Sequence, residues 1–292
     1  VLGRYTEAVK KSLPKALNLR DLTIVIDCAN GSGYKCAPQI LWELGANVIP
    51  IGVEPNGYNI NLNCGSTNTL MASELVKKYN ADLAICLDGD ADRVIILDEL
   101  GNEIDGDQLI ALIANNLKSE NKIQGDTIVS TVMSNLGLIS YLKELGLNLF
   151  RTPVGDRYVS EIMKEKGFNF GGEKSGHIIM TDYSSTGDGL LAALYFLSIL
   201  KDSGRTTSQL LNVFKPTPQK LLNLNFGSKN NPLDNSEFNK TINELRKKIS
   251  DSGEILVRKS GTEPVIRIMV QHKDTKIFEE ILEEINYMIS KL

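Results

Sequence analysis

Cysteine is scarce in this 292-residue chain, and none of its four cysteines, at positions 28, 36, 64 and 86, stands in a Cys-x-x-Cys spacing. That excludes a small disulfide-stapled scaffold and a cysteine-ligated zinc site, and it points to a reducing compartment. No apolar run is long enough to span a bilayer, which takes about 20 residues. The longest, Leu190 to Leu200, is interrupted by Ser198 and reads as a buried helix. Nor is there an excess of positive charge. Lys and Arg total 32 against 36 Asp and Glu, for a net charge of −4 and a sequence pI near 5.4, so no global field exists to hold a nucleic-acid backbone. The first residues carry charge throughout and lack the apolar core of a secretory signal, which makes the cytoplasm the expected location with neither membrane nor nucleic acid as partner.

What remains is an ordinary globular composition, 42% hydrophobic and 23% charged with 24 glycines, in a chain long enough for two or three domains. Through the first 200 or so residues, short apolar stretches bounded by Gly, Asn and Asp alternate with helical periodicity, the pattern of α/β domains with mainly parallel strands. Strands are expected at Thr23–Cys28, Asn47–Ile51, Ala81–Leu87 and Val94–Leu97, with helices at Pro38–Leu44 and Thr69–Tyr79. The pattern then repeats. Thr23-Ile24-Val25 returns as Thr127-Ile128-Val129, and Glu43-Leu44-Gly45-Ala46-Asn47 returns as Glu144-Leu145-Gly146-Leu147-Asn148. Each second string ends a helix at a glycine and starts a strand two residues later.

The second copy continues through a strand at Asn148–Arg151, a helix from about Tyr158 to Lys166, a strand near Phe168 and the apolar helix from Gly189. Lys215-Pro216-Thr217-Pro218 cannot continue a helix and marks a linker. A β-α-β-β-α block follows. The expected architecture is therefore α/β: two similar mixed-sheet α/β domains, residues 1–103 and 104–216, followed by a small α+β C-terminal domain at 217–292.

Three loops carry chemistry. Asp88-Gly89-Asp90-Ala91-Asp92-Arg93 directly follows an apolar strand, and in extended backbone the alternate side chains Asp88, Asp90 and Asp92 share one side. Converged carboxylates call for a cation, and an all-oxygen set selects a hard one such as Mg²⁺, with Mn²⁺ also compatible. An EF-hand is excluded, although Glu99 falls at its twelfth position, because Arg93 replaces the turn glycine and Val94–Leu97 reads as a strand. The plain alternative is a solvated acidic turn.

In Gly171-Gly172-Glu173-Lys174-Ser175-Gly176-His177, also after a strand, Glu173, Ser175 and His177 alternate and offer an acceptor, a hydroxyl and an imidazole suited to a hydroxyl-rich ligand. His177 is an acid/base candidate, with a structural histidine as the plain alternative. The nucleophile-elbow pattern of a serine hydrolase is missing around Ser175, because Glu173 stands where a glycine is required. The third loop, Arg258-Lys259-Ser260-Gly261-Thr262-Glu263-Pro264 with Arg267 beyond it, combines guanidinium forks, hydroxyls and a glycine turn, as a phosphate cradle does. A solvated hairpin is its alternative. Asn30-Gly31-Ser32-Gly33 is a weaker dinucleotide-binding signal, because Cys36 occupies the place of the third glycine.

Together with Asp27-Cys28-Ala29-Asn30-Gly31, Pro55-Asn56-Gly57, Thr131-Val132-Met133-Ser134-Asn135-Leu136-Gly137, Val154-Gly155-Asp156-Arg157-Tyr158 and Thr186-Gly187-Asp188-Gly189, these loops make the chain resemble the α-D-phosphohexomutase superfamily nearly end to end, above all its glucosamine branch. The resemblance implies an isomerase that interconverts glucosamine 6-phosphate and glucosamine 1-phosphate through glucosamine 1,6-bisphosphate, supplying UDP-N-acetylglucosamine for the bacterial wall. It assigns Asp88, Asp90 and Asp92 to one Mg²⁺, Arg93 to the moving phosphoryl group, Glu173 and Ser175 to sugar hydroxyls, and His177 to general-base duty. Arg258, Ser260, Gly261, Thr262 and Arg267 fall to the phosphate that does not react.

Sister enzymes acting on glucose or mannose phosphates remain an alternative, as does a non-catalytic sugar-phosphate-binding module. Lys174 stands where Gln is expected in the family. Family members also carry a phosphoserine in an N-terminal domain, within a Ser-His-Asn-Pro type string that does not occur here. The expectation is a partial chain, inactive without that domain. A homodimer is compatible with the resemblance.

Overall fold

The computed structural model describes residues 2–11, 18–226, 231–249, 252–260 and 264–291. Its contacts divide the chain into two compact units, Val1–Ser134 with Leu138–Phe214, and Asn135–Gly137 with Lys215–Leu292.

In the first unit, helix α1 (Leu2–Lys11) precedes β1 (Thr23–Asp27), α2 (Cys36–Glu43), β2 (Asn47–Ile51), α3 (Leu70–Tyr79), β3 (Leu83–Leu87), β4 (Val94–Leu97) and β5 (Glu103–Ile104). Then come α4 (Gly106–Ser119), β6 (Thr127–Thr131), α5 (Leu136–Glu144), β7 (Asn148–Thr152), α6 (Asp156–Lys166), β8 (Phe170–Gly172), β9 (Ile178–Met180), α7 (Gly189–Ser203) and α8 (Thr207–Leu210). The first sheet has the order β2-β1-β3-β4-β5 and the second β7-β6-β8-β9. The duplication read in the sequence is thus a duplication of topology. Thr23 pairs with Asn47 at the start of one parallel ladder, and Thr127 pairs with Asn148 at the start of the other. In both sheets the last shared strand turns antiparallel, β4 on β3 and β9 on β8.

β3 and β4 are buried along their whole length and read as continuous apolar runs, as strands covered on both faces must. Between the sheets lies one core. Ile24, Ile85, Ile128, Phe170 and Ile178 from the strands join the apolar faces of α4 and α7 within it, and α7 packs on β3, β4, β9 and α4. The apolar run at Leu190–Leu200 is therefore the central buried helix that hydrophobicity on all sides requires.

Several expected boundaries shift by a residue or two, and two of the shifts have a plain cause. Helix α2 begins at Cys36, ahead of Pro38, because proline is tolerated in a helix's first turn, where its missing N–H has no partner to lose. The strand expected near Phe168 begins at Phe170. Gly167 closes α6 in the left-handed conformation, and Phe168 and Asn169 are spent on the turn into the sheet.

The second unit contains β10 (Gln219–Asn225), α9 (Ser236–Ile249), β11 (Gly253–Lys259), β12 (Val265–His272) and α10 (Thr275–Ser290), with a fully antiparallel sheet ordered β10-β12-β11. Phe238, Ile242 and Leu245 of α9 and Phe278, Ile281 and Ile285 of α10 cover one face of that sheet against Ile266, Ile268 and Val270. No helix among the described residues is long and apolar enough to cross a membrane.

Candidate active site

The acidic loop joins β3 to β4, and the loop of Glu173 to His177 joins β8 to β9, so the two occupy equivalent places in the repeat. They also meet. Arg93 and His177 form an isolated antiparallel bridge, and the Val94 amide donates to the Gly176 carbonyl at 3.1 Å.

Neither loop is the extended strand that an alternating pattern suggests. The Ala91 amide closes a turn onto the Asp88 carbonyl at 3.1 Å, and Ala91 takes a left-handed φ of 63°. That turn still gathers the three carboxylates, because oxygens of Asp88, Asp90 and Asp92 all lie within 4.8 Å of one another. Asp88 is buried and accepts from the Arg93 amide at 3.1 Å, while Arg93 Nε stands 3.8 Å from both Asp88 Oδ2 and Asp92 Oδ1. Burial pushes Asp88 up to about 6, against the pull of the Arg93 amide and with further upward pressure from Asp92 and Asp90. Asp92 Oδ1 is buried with no hydrogen-bond partner. Three crowded carboxylates, one held against ionisation and one with a buried oxygen lacking a donor, fit a hard divalent cation.

In the second loop the Glu173 amide donates to the His177 carbonyl at 2.8 Å, and the Gly176 amide to the Glu173 carbonyl at 2.9 Å. The turn needs glycine at 176, where φ is 88° and a Cβ would overlap the Val94 carbonyl. This tight turn replaces the expected alternation. Glu173 and His177 end up buried, while Ser175 stays exposed. Glu173 Oε1 accepts from the Gly155 amide at 3.1 Å, and Lys174 Nζ is held 2.6 Å from Asp105 Oδ2. Lys174 is therefore anchored by an ion pair within this unit. His177 Nδ1 lies 3.0 Å from Asp92 Oδ2 without completing a hydrogen bond, so the imidazole stands directly against the acidic cluster. A cavity of about 500 Å³ opens beside these groups, bordered by Tyr5, Ser32, Cys36, Asp90, Asp92 and Asp188.

The Asn30-Gly31-Ser32-Gly33 turn serves this site too. Its Ser32 amide donates to the Gly89 carbonyl at 2.7 Å, which accounts for the turn without a dinucleotide. In the second unit, Arg258 and Arg267 are directly opposed on β11 and β12, and Ser260 is buried with its amide on the Val265 carbonyl at 2.8 Å. Gly261 and Thr262 lie outside the described residues.

Sequence reasoning missed Asp105 at the cap of α4, and it noted the strings that hold Gly155 at the start of α6 and Gly187–Gly189 at the start of α7 without giving them a part in the site. A glycine beside an aspartate just ahead of a helical run was the available signal.

Doubly wound repeats whose strand-end loops converge define an α/β family, and the comparisons say which one. The chain matches Phosphoglucomutase/phosphomannomutase, alpha/beta/alpha domain II over residues 3–101, domain III over 105–217 and the C-terminal domain over 221–287. It belongs to the phosphoglucomutase/phosphomannomutase family.

Among curated relatives, phosphoglucosamine mutase of Cereibacter sphaeroides is 52% identical over 283 residues, covering 97% of this chain and 63% of its own. Phosphoglucosamine mutase of Phenylobacterium zucineum is 52% identical over 290 residues, covering 99% and 64%. The chain thus spans under two thirds of the length of these relatives. A phosphoglucomutase/phosphomannomutase family protein of Burkholderia thailandensis shares the fold at TM-score 0.80 and 22% identity, over 98% of this chain and 63% of that one. N-acetylphosphoglucosamine mutase of Aspergillus fumigatus, solved in complex with GlcNAc-6P and magnesium, does so at TM-score 0.69 and 19% identity, over 96% and 67%.

Proposed function

We propose that this chain forms the metal-, sugar- and phosphate-binding part of an intramolecular phosphotransferase that interconverts glucosamine 6-phosphate and glucosamine 1-phosphate through the 1,6-bisphosphate. The observation that carries this reading is the meeting of the two equivalent loops, which puts His177 Nδ1 3.0 Å from Asp92 and joins the acidic cluster to the loop of Glu173. The 52% identity to phosphoglucosamine mutases supports the amino sugar as substrate.

Asp88, Asp90 and Asp92 would hold Mg²⁺, whose charge would offset that of a phosphoryl group in transfer. Arg93, half exposed beside two of these carboxylates, would grip the same group. Glu173, fixed by the Gly155 amide, accepts from sugar hydroxyls, and exposed Ser175 adds a second polar contact. His177 would take the hydroxyl proton, its ring held against Asp92 at 3.0 Å. Arg258, Ser260 and Arg267, with Gly261 and Thr262, would take the phosphate that does not react.

The chain alone is expected to bind Mg²⁺ and sugar phosphate without turnover. Joined to the N-terminal third of the Cereibacter relative, it should convert glucosamine 6-phosphate to glucosamine 1-phosphate, followed by phosphorus NMR. Asp90→Asn should reduce that rate at least a hundredfold. A fused protein that converts mannose or glucose 6-phosphate as fast as the amino sugar would contradict the substrate assignment.

A further inference from the structure

The segment Gly187-Asp188-Gly189 touches both halves of the site, and nothing in the proposed chemistry uses it. Gly189 donates its amide to the Ala91 carbonyl at 2.9 Å, and a Cβ on Gly189 would press on the Arg93 carbonyl. Ala91 is the left-handed residue between Asp90 and Asp92, so this hydrogen bond holds the turn that points those two carboxylates together. Gly187 lies flat against His177, where a Cβ would overlap imidazole Nε2 and Cε1. The same ring faces Asp92 through Nδ1.

Between the two glycines, Asp188 caps the 15-residue helix α7 by accepting from the Leu191 amide at 2.9 Å. Its carboxylate also accepts from the Tyr5 hydroxyl, at 3.0 Å and 3.1 Å to its two oxygens. Asp188 is thereby tied to α1 on one side and to the core helix on the other. Its own amide donates to the Ile178 carbonyl at 3.3 Å, one residue beyond His177.

We propose that residues 187–189 form a positioning clamp. Anchored by the Tyr5–Asp188 hydrogen bonds and by the buried α7, the clamp holds the acidic loop through Ala91 and the His177 ring through Gly187, fixing both in one arrangement. Asp188 and Tyr5 act through the Gly189 amide and are positioning residues. The clamp rests on the reading of Asp88, Asp90 and Asp92 as metal ligands, and it adds the claim that their geometry is set from α7.

The test uses the 292-residue chain and Mn²⁺ alone as probe. Mn²⁺ affinity is read by electron paramagnetic resonance, the His177 imidazole signal by proton NMR, and stability by thermal unfolding. Asp188→Ala should weaken Mn²⁺ binding by about 10- to 100-fold, the range for loss of a group that orients metal ligands. Asp188→Asn, which keeps a capping oxygen, should restore affinity to within about threefold of the parent. Tyr5→Phe leaves the cap intact and should fall between them, which provides the test should Asp188→Ala not fold. Gly187→Ala should move the His177 resonance, which is assigned by its loss in His177→Gln and is one of only two imidazole signals in the chain.

A purely structural cap would lower the melting temperature of Asp188→Ala while leaving that variant's Mn²⁺ affinity and His177 resonance as they are in the parent. That result overturns the clamp while the metal reading stands. Failure of the parent itself to bind Mn²⁺ overturns both.

Discussion

At the scale of single residues, the site is held by groups whose local cost is offset by a neighbour. Asp88 has its pKa raised to about 6 mainly by burial. An acid raised above its ordinary value of about 3.9 binds its proton more tightly when folded. Its neutral form therefore favours the folded state at low pH, and that contribution is lost as pH climbs from near 4 through 6. A cation takes the opposite side of the balance, since it needs the ionised carboxylate. Mg²⁺ affinity measured by calorimetry should rise about tenfold per pH unit below pH 6 and level off above it, with up to one proton released at the acidic end. A flat affinity between pH 5 and 7 would contradict the burial of Asp88.

Gly176 supplies a second prediction at this scale. Alanine there meets both a left-handed φ of 88° and the Val94 carbonyl. Gly176→Ala should cost about 2–4 kcal/mol in urea unfolding and should loosen the Arg93–His177 bridge.

At the scale of elements, much was legible in the sequence because strand-ending turns and helix-ending glycines have short-range causes. The Thr23 and Thr127 strings fixed two parallel ladders with the same pairing partner, asparagine, at the same place. The apolar run at Leu190 announced the buried helix. The acidic loop after β3 and the Glu173 loop after β8 were legible as strand-end loops as well.

What escaped notice was the shape of the acidic loop and of the Glu173 loop. Alternation predicted shared faces in extended backbone, whereas both loops are turns, set by the Ala91–Asp88 and Gly176–Glu173 hydrogen bonds. Long-range partners such as Gly155 for Glu173, Asp105 for Lys174 and Tyr5 for Asp188 leave no periodic trace, because they join elements far apart in the chain. Helix α7 is the element on which most depends. Its Phe196 is fully buried in the shared core, and Phe196→Ala should destabilise the first unit by about 3–5 kcal/mol in denaturant unfolding.

At the scale of the whole molecule, the first unit explains how duplication can build an asymmetric site. Two copies of one sheet topology present equivalent loops, one carrying three aspartates and the other Glu173, Ser175 and His177, and a core closed by α4 and α7 brings them together. The second unit is a separate antiparallel sheet with two helices on one face, and it carries the opposed Arg258 and Arg267. A metal loop on one repeat and a sugar loop on the other, joined at Arg93 and His177, are the account's central claim.

A crystal of the chain grown with Mn²⁺ and glucosamine 6-phosphate tests that claim most directly. The account predicts an anomalous peak bonded to Asp88, Asp90 and Asp92, with sugar hydroxyls on Glu173 in the same site. A metal bound away from those aspartates, or a sugar that leaves Glu173 untouched while the metal is in place, would contradict it.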